Sequence, residues 1–162
     1  MSSPARPQND GRFASEAGHT RLHESTQAAV HARCYVCGAA NPAGLRLRFV
    51  PEGPGRVAAS FVGDPSREGY PGLLHGGVIS TLVGGAMTNC LFSLGIRAVT
   101  AELTVRYLEG VRVEREAHIC AWWLRTRGHL HAVQAEIRQD DHVVVRAYAK
   151  FMDRRRSREV TD

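Results

Sequence analysis

The sequence predicts an α+β domain: one antiparallel sheet with a single long helix packed on one face. Three observations carry this. After residue 97, segments that alternate apolar and polar residues follow one another with short breaks, as consecutive antiparallel strands do. One stretch, residues 75–94, is long, apolar and free of strand alternation. No strand–helix–strand repeat appears, which argues against a parallel sheet.

The elements follow in order. Residues 1–31 are polar and rich in Ser, Pro, Ala and Gly, so they read as a flexible N-terminal extension with a short helix near Leu22–His31. The folded domain is expected over 32–153 and a basic tail over 154–162. "CYVCGAANPAGL" holds Cys34 and Cys37 among Gly38, Pro42 and Gly44. Two thiolates are half of a zinc site, and no second CxxC or closely spaced Cys/His pair follows them. The plainer reading is a tight turn with small buried thiols. "LRLRFV" alternates apolar and basic residues, which predicts a strand at Leu45–Val50. It forms a hairpin over 45–62 with "RVAASFV" through the turn "PEGPG". The breakers of "GDPSREGYPG" form a loop. The helix runs from His75 to Leu94 and is closed by Gly95. "AVTAELTVRYLEG", "EREAHICAWWLRTRG", "LHAVQAEIRQDD" and "HVVVRAYAKFMD" are strands, the last two joined at Asp140-Asp141. Trp122 and Trp123 fall on opposite faces of their strand, so only one of them lines the core.

Composition limits the function classes. The chain has 162 residues, 43% of them hydrophobic, and a formal charge of +5, which suits one domain with a real core. No apolar run is long enough for a membrane span, and the start lacks a signal-peptide core, so a cytoplasmic protein is expected. The cluster "DRRRSRE" reads as a solvated end. Aromatics are not interleaved with the basic residues, which argues against nucleic acid as a partner. A basic surface still suits a phosphorylated small molecule.

"LLHGGVISTLVGGAM" raises the functional question, because glycine inside a helix costs about 1 kcal/mol relative to alanine. Read at 100° per residue, Val78, Ile79, Leu82, Val83, Ala86, Cys90 and Leu94 share a sheet-facing side. The other side carries Gly77, Ser80, Thr81, Gly84, Thr88 and Leu91, small or uncharged throughout. A solvated face normally carries charge, so a second subunit, a ligand, or both should cover this one. The "HGG" opening places free N–H groups and the positive helix end where they can bind an anion or polarise a carbonyl.

"GYPGLLHGGVISTLVGGAM", the strand "AVTAELTVRYLEGV" after it, and the lead-in "CYVCGAANPAGLRLRF" together resemble the PaaI-like hotdog-fold thioesterases over about residues 34–152. The resemblance implies a hotdog fold, a curved antiparallel sheet wrapped around one long central helix. It implies a homodimer or homotetramer with the site at the subunit interface, an acyl-CoA thioester substrate, and no cofactor or metal. The N–H of Gly76 or Gly77 would polarise the thioester carbonyl. His75 would shape that turn and touch substrate, and Thr100 would help place the attacking water. Surface Arg residues, Arg106 among them, would meet the nucleotide.

One departure stands out. The family's helix Asp or Glu, nine residues after the motif His, is here Gly84, and a polar position six residues before the His is Gly69. Glu68, Glu102 or His75 could substitute as base, with Thr81 and Thr88 holding a water near Gly84. Each has a plainer reading: a loop anchor for Glu68, a charge pair for Glu102, interface packing for the two threonines. The expected function is acyl-CoA thioester hydrolysis, with a non-catalytic acyl-CoA-binding hotdog protein as the alternative.

Overall fold

The structure is a computed structural model and describes residues 16–153. The basic tail and the first fifteen residues of the extension lie outside the described residues. Among the described residues two α-helices and eight strands occur in the order α1 (Glu16–His31), β1 (Val50–Pro51), β2 (Arg56–Val62), β3 (Glu68–Tyr70), β4 (Leu73–Leu74), α2 (Gly76–Phe92), β5 (Ala98–Tyr107), β6 (Glu116–Arg127), β7 (Leu130–Gln139) and β8 (His142–Asp153), with one 3-10 turn at Pro65–Arg67 before β3. Six strands make one antiparallel sheet in the order β1-β2-β6-β7-β8-β5, and β3-β4 is a separate small pair. The α+β class read from the sequence is the class found.

Helix α2 lies on the sheet because the sheet offers it a shallow trough. Ala121, Ala135 and Ala147 are register partners across β6, β7 and β8, flanked by Val57 on β2 and Val105 on β5. Small side chains along that row let the helix approach closely. Leu82, Val83, Ala86 and Cys90 fill the interface and are fully buried, as the helical periodicity predicted. Leu91 was assigned to the outer side and is instead buried, on a helix whose second half is covered by α1.

Two expectations are corrected. The short helix at Leu22–His31 begins earlier, at Glu16, and it is docked rather than a free extension. His19, His23 and Thr26 are buried, and the His23 imidazole meets the Asn89 amide oxygen of α2 at 2.9 Å. A polar helix of this kind carries no strong apolar signal, and its burial depends on histidines that composition alone reads as solvated. The strand expected at Leu45–Val50 shrinks to Val50–Pro51. Residues 45–49 run instead against the cysteine turn, where the Leu45 and Leu47 amides donate to Tyr35 and Val36 carbonyls. The apolar alternation was real, since Leu47 and Phe49 are buried, but the backbone partner is a loop.

The terminations follow expectation. Helix α2 ends at Phe92, with Gly95 at φ +70 taking the left-handed position that stops it. Asp140 and Asp141 both have positive φ, the geometry of a two-residue hairpin between β7 and β8. Trp123 packs against the core and Trp122 does not. No described helix is long and apolar enough to cross a membrane.

Candidate active site

The amino end of α2 is built by its own first residues. His75 is the N-cap, in extended conformation, and its Nδ1 accepts the Gly77 N–H at 2.9 Å. A backbone amide can only donate, so Nδ1 carries the lone pair and the neutral ring holds its proton on Nε2. In this arrangement His75 has no free lone pair with which to act as a base, and its outward atom is a donor. The Val78 and Ile79 amides both donate to the His75 carbonyl. Among the described residues no acceptor takes the Gly76 N–H, so this amide is the one the helix end offers to a ligand. Of the two amides named from the sequence, the Gly77 N–H is taken by the His75 cap and the Gly76 N–H is not.

Tyr107, at the end of β5, was not singled out in the sequence. Its hydroxyl donates to the Gly76 carbonyl at 3.0 Å and meets Ser80 Oγ at 2.7 Å, fixing the first turn from the outside. His75, Gly76, Tyr107, Ile79, Tyr70 and Glu109 line a cleft of about 470 Å³ that opens at this helix end. Glu109 is the acidic residue of that lining. In the sequence it is only one of the closing residues of the strand segment "AVTAELTVRYLEG", and its place beside the helix end comes from the loop that returns past β4.

The remaining expected residues lie elsewhere. Glu68 accepts the Gly72 N–H at 2.9 Å, which is the loop-anchor reading. Glu102 meets Lys150 Nζ at 2.7 Å across β5 and β8, which is the charge-pair reading. Thr81 and Thr88 donate their hydroxyls to the Gly77 and Gly84 carbonyls one turn back. Thr100 and Arg106 are exposed on β5, the open edge of the sheet, and neither lines the cleft. Thr100 pairs with Phe151 beside a register shift, and Arg106 stands opposite Arg146.

The mid-helix glycines have different causes. A Cβ on Gly85 would lie 2.5 Å from Val36 Cγ1, whereas one on Gly84 would meet nothing within 4 Å. Gly85 is required by the cysteine turn that crosses the helix. Gly84, the position at which the resemblance led to an expected acid, faces open space.

A second cluster escaped the sequence reading. His31 joins Cys34 and Cys37, with one ligand-type atom from each lying within 4.8 Å of the others. The spacing His-x-x-Cys-x-x-Cys is present in the sequence, with the histidine ahead of the cysteines, inside the segment that reads as a flexible extension.

Residues 71–146 match the thioesterase superfamily. A crystal structure of a thioesterase superfamily protein is 21% identical with a TM-score of 0.66; the match covers 71% of this chain and 60% of that one, so this chain spans less than two thirds of that relative's length. A hypothetical thioesterase from Streptococcus pneumoniae TIGR4, solved with coenzyme A, is 19% identical with a TM-score of 0.63, over 66% and 84% of the two chains. The PaaI protein of E. coli, from the phenylacetic acid degradation operon, is 15% identical with a TM-score of 0.71, over 83% and 94%. The chain therefore has the hotdog fold. Its segment from helix α2 into β8 carries the thioesterase superfamily pattern, and its structural neighbours are PaaI-like hotdog thioesterases.

Proposed function

We propose that the chain hydrolyses an acyl-CoA thioester in the cleft at the amino end of α2. The observation that carries this is the Gly76 N–H, left without an acceptor among the described residues at the positive end of a 17-residue helix and lining the cleft. In this reading the Gly76 amide receives the charge that develops on the thioester oxygen. The His75 Nε2–H donates at the same mouth. Water attacks the carbonyl carbon and gives its proton to the Glu109 carboxylate; as the carbon–sulfur bond breaks, Glu109 returns that proton to the sulfur, so CoA leaves as the thiol and the acyl group as the carboxylic acid. The coenzyme A in the streptococcal neighbour supports the substrate class.

The same reading makes the chain a homodimer or homotetramer. Strand β5 is a ten-residue open edge with exposed Val99 and Tyr107, which invites pairing with a second copy. Thr100 and Arg106 on that edge would act across the subunit boundary, on water and on the nucleotide. Gly84, Thr81 and Thr88 leave a smooth wall for the acyl-pantetheine arm.

The test is turnover of short, medium, long and aromatic acyl-CoAs by the wild type, Glu109→Gln and Glu68→Gln. Glu109→Gln should lose about 10²-fold or more, the usual contribution of a general base, and Glu68→Gln should retain most of the rate. Equal rates for wild type and Glu109→Gln would remove Glu109 from the mechanism.

One observation favours the second reading, a non-catalytic acyl-CoA binder: Gly84 stands in the acid's place while Glu68 and Glu102 are both engaged. Binding of acyl-CoA without turnover in the wild type, with hydrolysis gained in Gly84→Asp, would establish that alternative.

A further inference from the structure

About 20 Å along α2 from the candidate active site, taking the helix rise of about 1.5 Å per residue, lies the cluster of His31, Cys34 and Cys37. Its backbone is two turns laid end to end. The Cys34 amide donates to the His31 carbonyl, and the Gly38 amide donates to the Cys34 carbonyl at 2.9 Å. Only glycine fits at position 38, because a Cβ there would lie 2.4 Å from the Cys34 nitrogen. The turn therefore brings both sulfurs round toward the end of α1, where His31 waits with its ring edge-on to Phe92, centroids 4.8 Å apart.

We propose that His31 Nδ1 and the Cys34 and Cys37 sulfurs bind one zinc-class divalent ion, with water from the adjoining cleft as the fourth ligand. The distances suit it. With Zn–S of about 2.3 Å and Zn–N of about 2.0–2.1 Å, tetrahedral ligation separates a thiolate sulfur from an imidazole nitrogen by about 3.6 Å. Cys37 Sγ and His31 Nδ1 are 3.8 Å apart. Two thiolates and an imidazole are the soft-to-borderline set that zinc prefers.

Both sulfurs also have a donor aimed at them. The Val36 amide reaches Cys34 Sγ at 3.4 Å and the Asn89 side-chain amide reaches Cys37 Sγ at 3.5 Å. Asn89 is fully buried and held by the Gly85 carbonyl and His23. Such donors orient thiolate ligands and lower the cost of their charge. Burial pushes the Cys37 thiol up, with the Asn89 hydrogen bond opposing it, and a bound cation would reverse that balance. A cleft of about 640 Å³, lined by Glu24, Gln27, His31, Cys37 and Arg48, opens against the cluster and leaves a path for the ion and the fourth ligand.

The ion would tie α1 to the turn that crosses α2 at Gly85. The full chain, stripped with chelator under reducing conditions, is titrated with cobalt(II) and then zinc. One equivalent of cobalt should give the intense visible bands of a tetrahedral thiolate complex, zinc should abolish them, and the melting temperature should rise on loading. Retained zinc should fall at least tenfold in Cys34→Ser and Cys37→Ser, and stay at one per chain in Cys120→Ser. The wild-type spectrum keeps the test independent of how the variants fold. A wild-type cobalt spectrum without thiolate bands overturns the proposal. So does equal zinc content in the wild type and a folded Cys34→Ser/Cys37→Ser double variant. A freshly purified chain that lacks two titratable thiols through a Cys34–Cys37 disulfide, and takes up zinc no better after reduction, overturns it as well.

Discussion

Gly85→Ala separates packing from propensity within a single helix. Alanine in place of a mid-helix glycine gains about 1 kcal/mol on its own. At Gly85 the new methyl would sit 2.5 Å from Val36 Cγ1 and 3.1 and 3.2 Å from two further Val36 carbons. Val36 is buried and β-branched, so it has one stiff torsion and little room to turn away. Overpacking of this kind costs about 1–3 kcal/mol, and contact with three atoms of a stiff neighbour belongs at the upper end. The net expectation is a loss of about 1–2 kcal/mol. Equilibrium urea unfolding should show a midpoint roughly 0.5–1 M lower with unchanged slope, at a typical dependence of about 2 kcal/mol per molar urea. Val36→Ala removes the colliding carbons, so the double variant Gly85→Ala/Val36→Ala should be more stable than the sum of its parts by about 1 kcal/mol or more. A neutral or stabilising Gly85→Ala, additive with Val36→Ala, would refute the claim that the cysteine turn dictates this glycine.

Two further outcomes follow from the same geometry. His75→Ala removes the N-cap and should cost about 1 kcal/mol, a fall of roughly 2–4 °C in Tm for a chain of this size, while His75→Asn, which can cap in the same way, should restore most of it. Burial holds the His23 imidazole below its ordinary value of 6.5, with the Asn89 hydrogen bond opposing, so the unfolded chain takes up a proton that the folded chain refuses. Stability is therefore retained above pH 6.5 and falls as the pH drops toward the folded value, by at most about 1.4 kcal/mol per pH unit. Urea midpoints from pH 7.5 to 5 should show a shallower decline in His23→Gln than in the wild type.

The parts of the fold written in periodicity were legible. The core side of α2, the hairpin at Asp140-Asp141 and the four long strands follow from patterns of 3.6 and 2 that burial enforces. What escaped was set by contacts between distant segments. Residues 45–49 alternate as a strand does, yet their hydrogen bonds go to the cysteine turn, and no local pattern encodes a partner. Helix α1 is polar, and only its meeting with Asn89 shows why His23 is inside. At the site, the "HGG" opening located the helix end, but the sequence could not choose between Gly76 and Gly77. Which of the two N–H groups is already occupied depends on the rotamer of His75. Glu109 and Tyr107 reached the cleft through a loop and a strand end whose directions the sequence left open. The sequence sets Cys34 and Cys37 apart from His31 because the histidine precedes them on a polar segment that reads as flexible, and only the docking of α1 brings the three together.

The central claim is that the Gly76 N–H polarises the substrate carbonyl, and Gly76→Pro tests it most directly. Proline is tolerated at the first helical position, and His75 already has the extended conformation, φ −61 and ψ 135, that a residue before proline requires. The substitution therefore deletes one N–H and keeps the helix. Gly76→Ala, whose Cβ would meet Tyr107 at an ordinary 3.6 Å, keeps the N–H and serves as the control. Measured on the acyl-CoA turned over fastest by the wild type, kcat should fall about 10²–10³-fold in Gly76→Pro, the loss expected for one oxyanion donor, and stay within a few fold in Gly76→Ala. Wild-type turnover by a folded Gly76→Pro would contradict the account.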